Sequence, residues 1–188
     1  MSKKLFLCAV LFLFTSSINM DARHKKTRRT VQTEQRYREI DNYDFLYTGE
    51  DYDFEQSSPV MDNVIDEAFT HIGARYVHGG KGPYVFDCSG FTSYVYKQIG
   101  VNISPSSKMQ YATQTPIHNS ELQRGDLVFF QGRSGRGGVG HVGIVVDVDH
   151  NNGTFNFIHA STSRGVRVSN STESYYRSRY IGARRVME

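Results

Sequence analysis

The sequence predicts an α+β fold, with helices first and an antiparallel sheet built from the second half of the chain. An amphipathic stripe at helical spacing begins at Pro59, and the apolar pattern changes to that of strands from Asp126 onward. Asn151-Asn152-Gly153 then supplies a hairpin turn between two of those strands.

Each element has its own local reason. Pro59 suits a first helical turn, and Val60, Met61, Val64, Ile65, Ala68, Phe69 and Ile72 follow at three- and four-residue steps. Gly73 and the pair Gly79-Gly80 end that helix and open a loop. A second helix is predicted from Cys88 to Ile99, with Phe91, Tyr94, Val95, Gln98 and Ile99 on related faces and Gly100 as its stop. A short third helix covers Ser106 to Ala112. Strands are then expected at Leu127–Gln131, Val142–Val148, Thr154–Ala160, Val166–Val168 and Tyr180–Val186.

Ahead of this domain the chain has a different character. Lys3 and Lys4 precede the apolar run LFLCAVLFLF from Leu5 to Phe14, and small polar residues follow at Thr15, Ser16 and Ser17. That is the layout of a secretory signal peptide, assigned to residues 1–22, and the run is too short for a membrane span, which needs about 20 apolar residues. Residues 23–57 carry a basic cluster (Arg23, Lys25, Lys26, Arg28, Arg29) followed by an acidic, tyrosine-rich stretch, and read as a charged, disordered linker. The compact domain is placed at residues 58–188. Export to the periplasm, the cell surface or the outside follows from the leader.

The 188 residues allow one domain with a real core, and a net charge of +3 is too small to suggest nucleic-acid binding. Seventeen glycines against four prolines fit a fold with many turns between short strands. Of the two cysteines, Cys8 lies in the apolar run and leaves with it. Cys88 therefore has no partner for an internal disulfide, and an unpaired thiol is a liability in an oxidising compartment.

Thiol-based hydrolysis needs a thiolate, a histidine that exchanges protons with it and a third group to hold that histidine. Cys88 falls in the first turn of a predicted helix, where the helix dipole and free N–H groups lower a thiol pKa and can receive an oxyanion. Gly90 leaves that turn unhindered. His141 opens one strand, His159 lies near the end of the next, and the hairpin between them brings the two histidines close. His159 can then bond one ring nitrogen of His141 and leave the other for the sulfur.

The words around these residues resemble, in order, the NlpC-type cell-wall peptidase family: FDCSGF from Phe86, LQRGDLVFF from Leu122, GHVGI from Gly140 and FIHAS from Phe157. Tyr76 with Gly79-Gly80, Ser104-Pro105 with Gln110, and the closing Tyr180–Val186 fit the same pattern. The resemblance implies a papain-like fold and hydrolysis of peptidoglycan stem peptides between D-γ-glutamate and a diamino acid. It implies Cys88 as nucleophile, His141 as general base and His159 as orienting residue. It further implies that Tyr76 lines the site and that Asp87 and Ser89 help bind the substrate's amino end. Asp87 is equally readable as a helix N-cap, and Tyr76 as core. Arg124 stands where the family often has proline.

The expected partner is the stem peptide, with a monomeric enzyme and no cofactor or metal. Three other readings stand beside this one. The same fold can serve a peptidoglycan amidase, or a non-catalytic wall-binding module that would be expected to lose its nucleophile or base. Cys88, His141 and His159 are also suitable zinc ligands by type, but no short ligand pair such as C-x-x-C accompanies them.

Overall fold

The computed structural model describes residues 59–132 and 137–187, all within the unit Phe54–Glu188. The proposed leader, the charged linker and four residues of the Gly132–Gly140 loop lie outside the described residues. Among the described residues no helix is long and apolar enough to cross a membrane.

Helix α1 (Pro59–Phe69) buries Val64, Ile65 and Ala68, the centre of the predicted stripe. Its exit is fixed by Gly73, whose φ of 81° suits glycine and whose N–H donates to the Val166 carbonyl at 2.9 Å. Two short parallel strands follow, β1 (Arg75–Tyr76) and β2 (Val85–Phe86), bracketing the Gly79-Gly80 loop. Helix α2 (Cys88–Gln98) runs through the middle of the domain and buries seven residues, which explains its weak amphipathicity in the sequence. Gly100, at φ 86°, ends it as expected. Helix α3 (Ser107–Thr113) is tied back to α2 by the buried side chain of Gln110. Its amide donates to the carbonyls of Ser104 (2.6 Å) and Ser89 (3.2 Å) and accepts from the Thr92 hydroxyl at 3.0 Å.

The sheet comprises β3 (Thr115–Ile117), β4 (Leu127–Gln131), β5 (Val139–Asp149), β6 (Thr154–Ser161), β7 (Gly165–Asn170) and β8 (Tyr180–Arg185). Its order is β3-β8-β4-β5-β6-β7, and every neighbouring pair is antiparallel. Alternate residues feed two apolar layers. Leu127, Phe129, Val142, Ile144, Ile158 and Ala160 pack with α1 and α2. Val128, Phe130, Val145, Phe155 and Phe157 form the second layer with Leu122, Ala183 and Tyr176 of the short helix α4 (Ser174–Arg177).

This is the expected α+β arrangement, with helices packed on an antiparallel sheet. Four of the five predicted strands lie within a residue or two of the expected bounds at each end. Strand β5 starts three residues earlier than expected because it crosses an irregularity at Phe130/Gln131 and keeps pairing with β4 as far as Val139. Strand β3 was not foreseen, since Pro116 argues against a strand; it lies at the sheet edge, where proline is tolerated. Asp126 braces the turn ahead of β4. Its buried carboxylate accepts from Arg185 Nε and Nη2, both at 3.0 Å, and from the Gln123 N–H at 2.8 Å. Tyr96 at the end of α2 donates its hydroxyl to the Gly125 carbonyl in the same turn.

Candidate active site

The N-terminus of α2 is built by its cap. Asp87 has extended backbone angles, and its carboxylate accepts from the N–H of Gly90 (2.6 Å) and Gly79 (3.0 Å) and from the Ser89 hydroxyl (3.2 Å). The N-cap reading of Asp87 is therefore realised. A Cβ on Gly90 would lie 1.9 Å from the Gly80 carbonyl oxygen, so glycine there lets the loop cross tightly over the first turn. The Ser89 hydroxyl is buried and also lies 3.1 Å from the Pro105 carbonyl.

Cys88 opens this helix almost wholly buried, with its sulfur facing the backbone N–H of Val142, the residue after His141. Burial, with Asp87 adding to it, pushes the thiol up to about 11 against the pull of the Ser89, Val142 and Cys88 N–H groups. A helix N-terminus by itself would lower it. The N–H groups are there, but desolvation outweighs them.

His141 and His159 meet as the hairpin predicts. The β5–β6 register pairs Ile144 with Ile158, and continued by one residue it sets Gly143 opposite His159. A Cβ at Gly143 would lie 2.6 Å from Phe157 Cδ2, 3.0 Å from the Ile158 carbonyl and 3.1 Å from His159 Cβ, so glycine allows this close crossing. His141 Nε2 lies 2.9 Å from His159 Nδ1. This contact leaves Nδ1 of His141 as the nitrogen available to another partner. Burial drives His141 down to about 4. His159 is wholly buried and is held well below the ordinary histidine value by burial, by His141 and by Arg167.

Two residues that the sequence did not single out complete the cluster. His159 Nε2 lies 3.1 Å from Ser169 Oγ and 3.2 Å from the Tyr176 hydroxyl. Ser169 pairs with Phe157 across β6 and β7, so strand register could have found it; no sequence pattern marks Tyr176. Tyr76 stands at the end of β1, and its phenol is raised by burial, by Cys88 and by Asp87, which places it in the electrostatic reach of both. Of the remaining histidines, His71 bonds Glu67 at 3.0 Å against Phe86 and Tyr94, and His118 caps a short 3-10 turn. Among the described residues no group of three or more His, Cys, Asp and Glu side chains is arranged to hold a metal.

A thiol at a helix N-terminus, a half-buried imidazole on the adjoining strand and a second, buried imidazole fixing the first form an arrangement suited to acyl transfer through sulfur. Comparison with known proteins points the same way. The sequence profile of the NlpC/P60 family matches residues 73–185. A probable endopeptidase p60 of Listeria grayi is 47% identical over 92 residues, which are 49% of this chain and 17% of that protein. A gamma-D-glutamyl-L-lysine dipeptidyl-peptidase of Bacillus cereus is 33% identical over 131 residues, 69% of this chain and 38% of that protein. The crystal structure of an NlpC/P60 family protein from Bacillus cereus superposes with a TM-score of 0.62 at 32% identity, covering 70% of this chain and 42% of that one. The chain thus spans less than half the length of each of these proteins.

Proposed function

The chain belongs to the NlpC/P60 family, and from that premise we propose that it is an exported cysteine endopeptidase cutting peptidoglycan stem peptides between D-γ-glutamate and a diamino acid. The observation that carries the reading is the 2.9 Å contact between the His141 and His159 imidazoles, which leaves His141 Nδ1 for a thiol, together with Cys88, whose sulfur faces the N–H of Val142, the residue after His141. The B. cereus relative's name supports the bond, and the run Leu5–Phe14 behind Lys3 and Lys4 supports export.

In this mechanism the Cys88 sulfur attacks the scissile carbonyl carbon while its proton passes to His141 Nδ1. The carbonyl oxygen becomes an oxyanion, received by N–H groups at the start of α2. Collapse breaks the C–N bond, and His141 returns the proton to the leaving amine. Water, deprotonated by His141, then hydrolyses the thioester and regenerates the thiol. His159 holds the His141 ring throughout. Tyr76 lines the wall of the site, and Asp87 and Ser89 meet the substrate's amino end, with the Asp87 carboxylate suited to an ammonium. The enzyme is proposed to act as a monomer without a cofactor.

The test is digestion of purified peptidoglycan by wild type and Cys88→Ala, with products identified by mass spectrometry. Fragments split after D-γ-glutamate and formed by the wild type alone are expected. Intact stem peptides freed from glycan would make the protein an amidase, and no cleavage by a folded wild type would leave a wall-binding module. His141→Ala should cost more activity than His159→Ala; the reverse order would reject the assignment of base and orienter.

A further inference from the structure

We propose that the main-chain N–H of Val142 is a catalytic donor to the Cys88 sulfur, so that two consecutive residues of β5 divide the work: the His141 ring takes the thiol proton and the next N–H holds the charge left behind. This rests on the cysteine-peptidase reading of the site and adds to it a group that no side chain marks. The sulfur faces three N–H groups, those of Cys88 and Ser89 in α2 and that of Val142 in β5.

Sheet geometry leaves the third of these without a strand partner. Successive residues of a strand turn their N–H and C=O groups toward opposite neighbours. Val145 turns its own toward the β4 side: its N–H donates to the Asp126 carbonyl at 2.8 Å, and its carbonyl accepts from the Gly125 N–H at 2.9 Å. The β4–β5 register is unbroken from the pair Leu127 and Ile144 to the pair Phe130 and His141. The backbone groups of Gly143 and His141 therefore face β4, and those of Ile144 and Val142 face β6. The β6 ladder pairs Ile144 with Ile158 and no residue of β5 before it. The Val142 N–H thus lies beyond the end of that ladder. Val142 is wholly buried, where an N–H needs an acceptor, and the Cys88 sulfur is the one it meets.

An N–H can only donate, so this contact has a single sense. It is weak toward a neutral thiol and stronger toward a thiolate. It favours the state in which the S–H proton has passed to His141 Nδ1 and the sulfur keeps the electron pair. That pair then forms the S–C bond, and N–H groups at the start of α2 are taken up by the oxyanion. The Val142 N–H, on a different element, stays with the sulfur. When water hydrolyses the thioester, the C–S bond breaks and the pair returns to sulfur against the same N–H, until His141 gives back the proton.

Replacing Val142 by α-hydroxyisovaleric acid through nonsense suppression exchanges this N–H for an ester oxygen and keeps the side chain. The same exchange at Val145, whose N–H belongs to the sheet, is the control. The Val142 ester should cleave stem peptides at least about tenfold more slowly than wild type. It should also slow alkylation of Cys88 by iodoacetamide at pH 8 by about threefold, since a more basic sulfur is scarcer as thiolate but more nucleophilic. The Val145 ester should lower Tm more and leave alkylation unchanged. Amide hydrogen exchange reads the contact without an ester: the Val142 N–H should exchange at least about tenfold faster in Cys88→Ala than in wild type, with Val145 unaffected. The proposal is overturned if exchange at Val142 is the same in both proteins, if the Val142 ester cleaves at the wild-type rate, or if the two esters slow alkylation alike. A Val142 ester that fails to fold, or loses as much Tm as the Val145 ester, also overturns it by giving the N–H to the sheet. Alkylation and exchange need no substrate, so their outcome is separate from that of the peptidase reading, which digestion of peptidoglycan by the wild type decides.

Discussion

The resting state of Cys88 is open to direct test. Many thiol hydrolases are pictured with a preformed thiolate–imidazolium pair, and the helix N-terminus beneath Cys88 encourages that picture. Burial argues against it here: the thiol is pushed up to about 11 and His141 down to about 4, so both are neutral across the middle of the pH scale. At pH 7 a thiol at 11 is ionised in about one molecule in ten thousand, against about one in a hundred for a thiol at its ordinary 9.0. Alkylation of Cys88 by iodoacetamide should therefore run about a hundredfold slower at pH 7 than that of an ordinary exposed cysteine. It should climb about tenfold per pH unit from 6 to 10. Peptide mass spectrometry separates the Cys88 adduct from any at Cys8. His141→Ala should leave the curve within about threefold below pH 9, because a neutral imidazole lends the resting sulfur no charge. A fast plateau between pH 5 and 8 that disappears in His141→Ala would refute the reasoning and establish an ion pair. With the neutral pair, the thiolate forms only as the proton moves to His141 in the substrate complex. The acid limb of kcat/KM then lies near 4, because His141 accepts a proton from solvent, and loses its base function, only as pH falls through that value.

Two further outcomes follow from the backbone around the site. Gly143→Ala forces β5 and β6 apart against Phe157, the Ile158 carbonyl and His159, so it should cost about 1–3 kcal/mol in stability and at least tenfold in kcat. Gly153→Ala in the hairpin turn, at φ 64° with no atom within 4 Å of the added carbon, should lower stability by about 1 kcal/mol and leave kcat alone; equal kcat losses in the two variants would reject the steric argument. At the cap, Asp87→Asn retains an acceptor for the Gly90 N–H and removes the charge. Its thermal stability should stay within about 1 kcal/mol of wild type, while KM rises several-fold for a stem peptide with a free amino end but not for its acetylated form. Equal effects on both peptides would restrict Asp87 to capping.

Much of this site was legible because it is written in local rules. Pro59, Gly73, Cys88 and Gly100 mark helix ends, and Asn151 to Gly153 marks the hairpin that joins the two histidines. What escaped depends on distances between elements. Thr115–Ile117 becomes a strand only because β8 offers an edge to it, against the advice of Pro116. Ser169 and Tyr176 carry no spacing signal, since their meaning lies in a shared approach to one nitrogen. The sign of the Cys88 shift escaped for a related reason. Sequence shows that a thiol begins a helix but not how deeply that helix end is buried, and depth decides between the dipole and desolvation.

The same distinction bears on the residues expected to bind substrate. Asp87 and Ser89 hold one another, the Gly79 and Gly90 N–H groups and the Pro105 carbonyl, so they shape the helix end on which Cys88 sits. Removing either carboxylate or hydroxyl outright would disturb the nucleophile whether or not substrate ever touches them. A fall in activity on alanine substitution is thus common to both roles. The two separate only when charge changes while the cap is kept, and when the substrate's amino end is altered in step. Family motifs of this kind concentrate residues that are structurally and chemically necessary at once, and their presence alone does not divide the two.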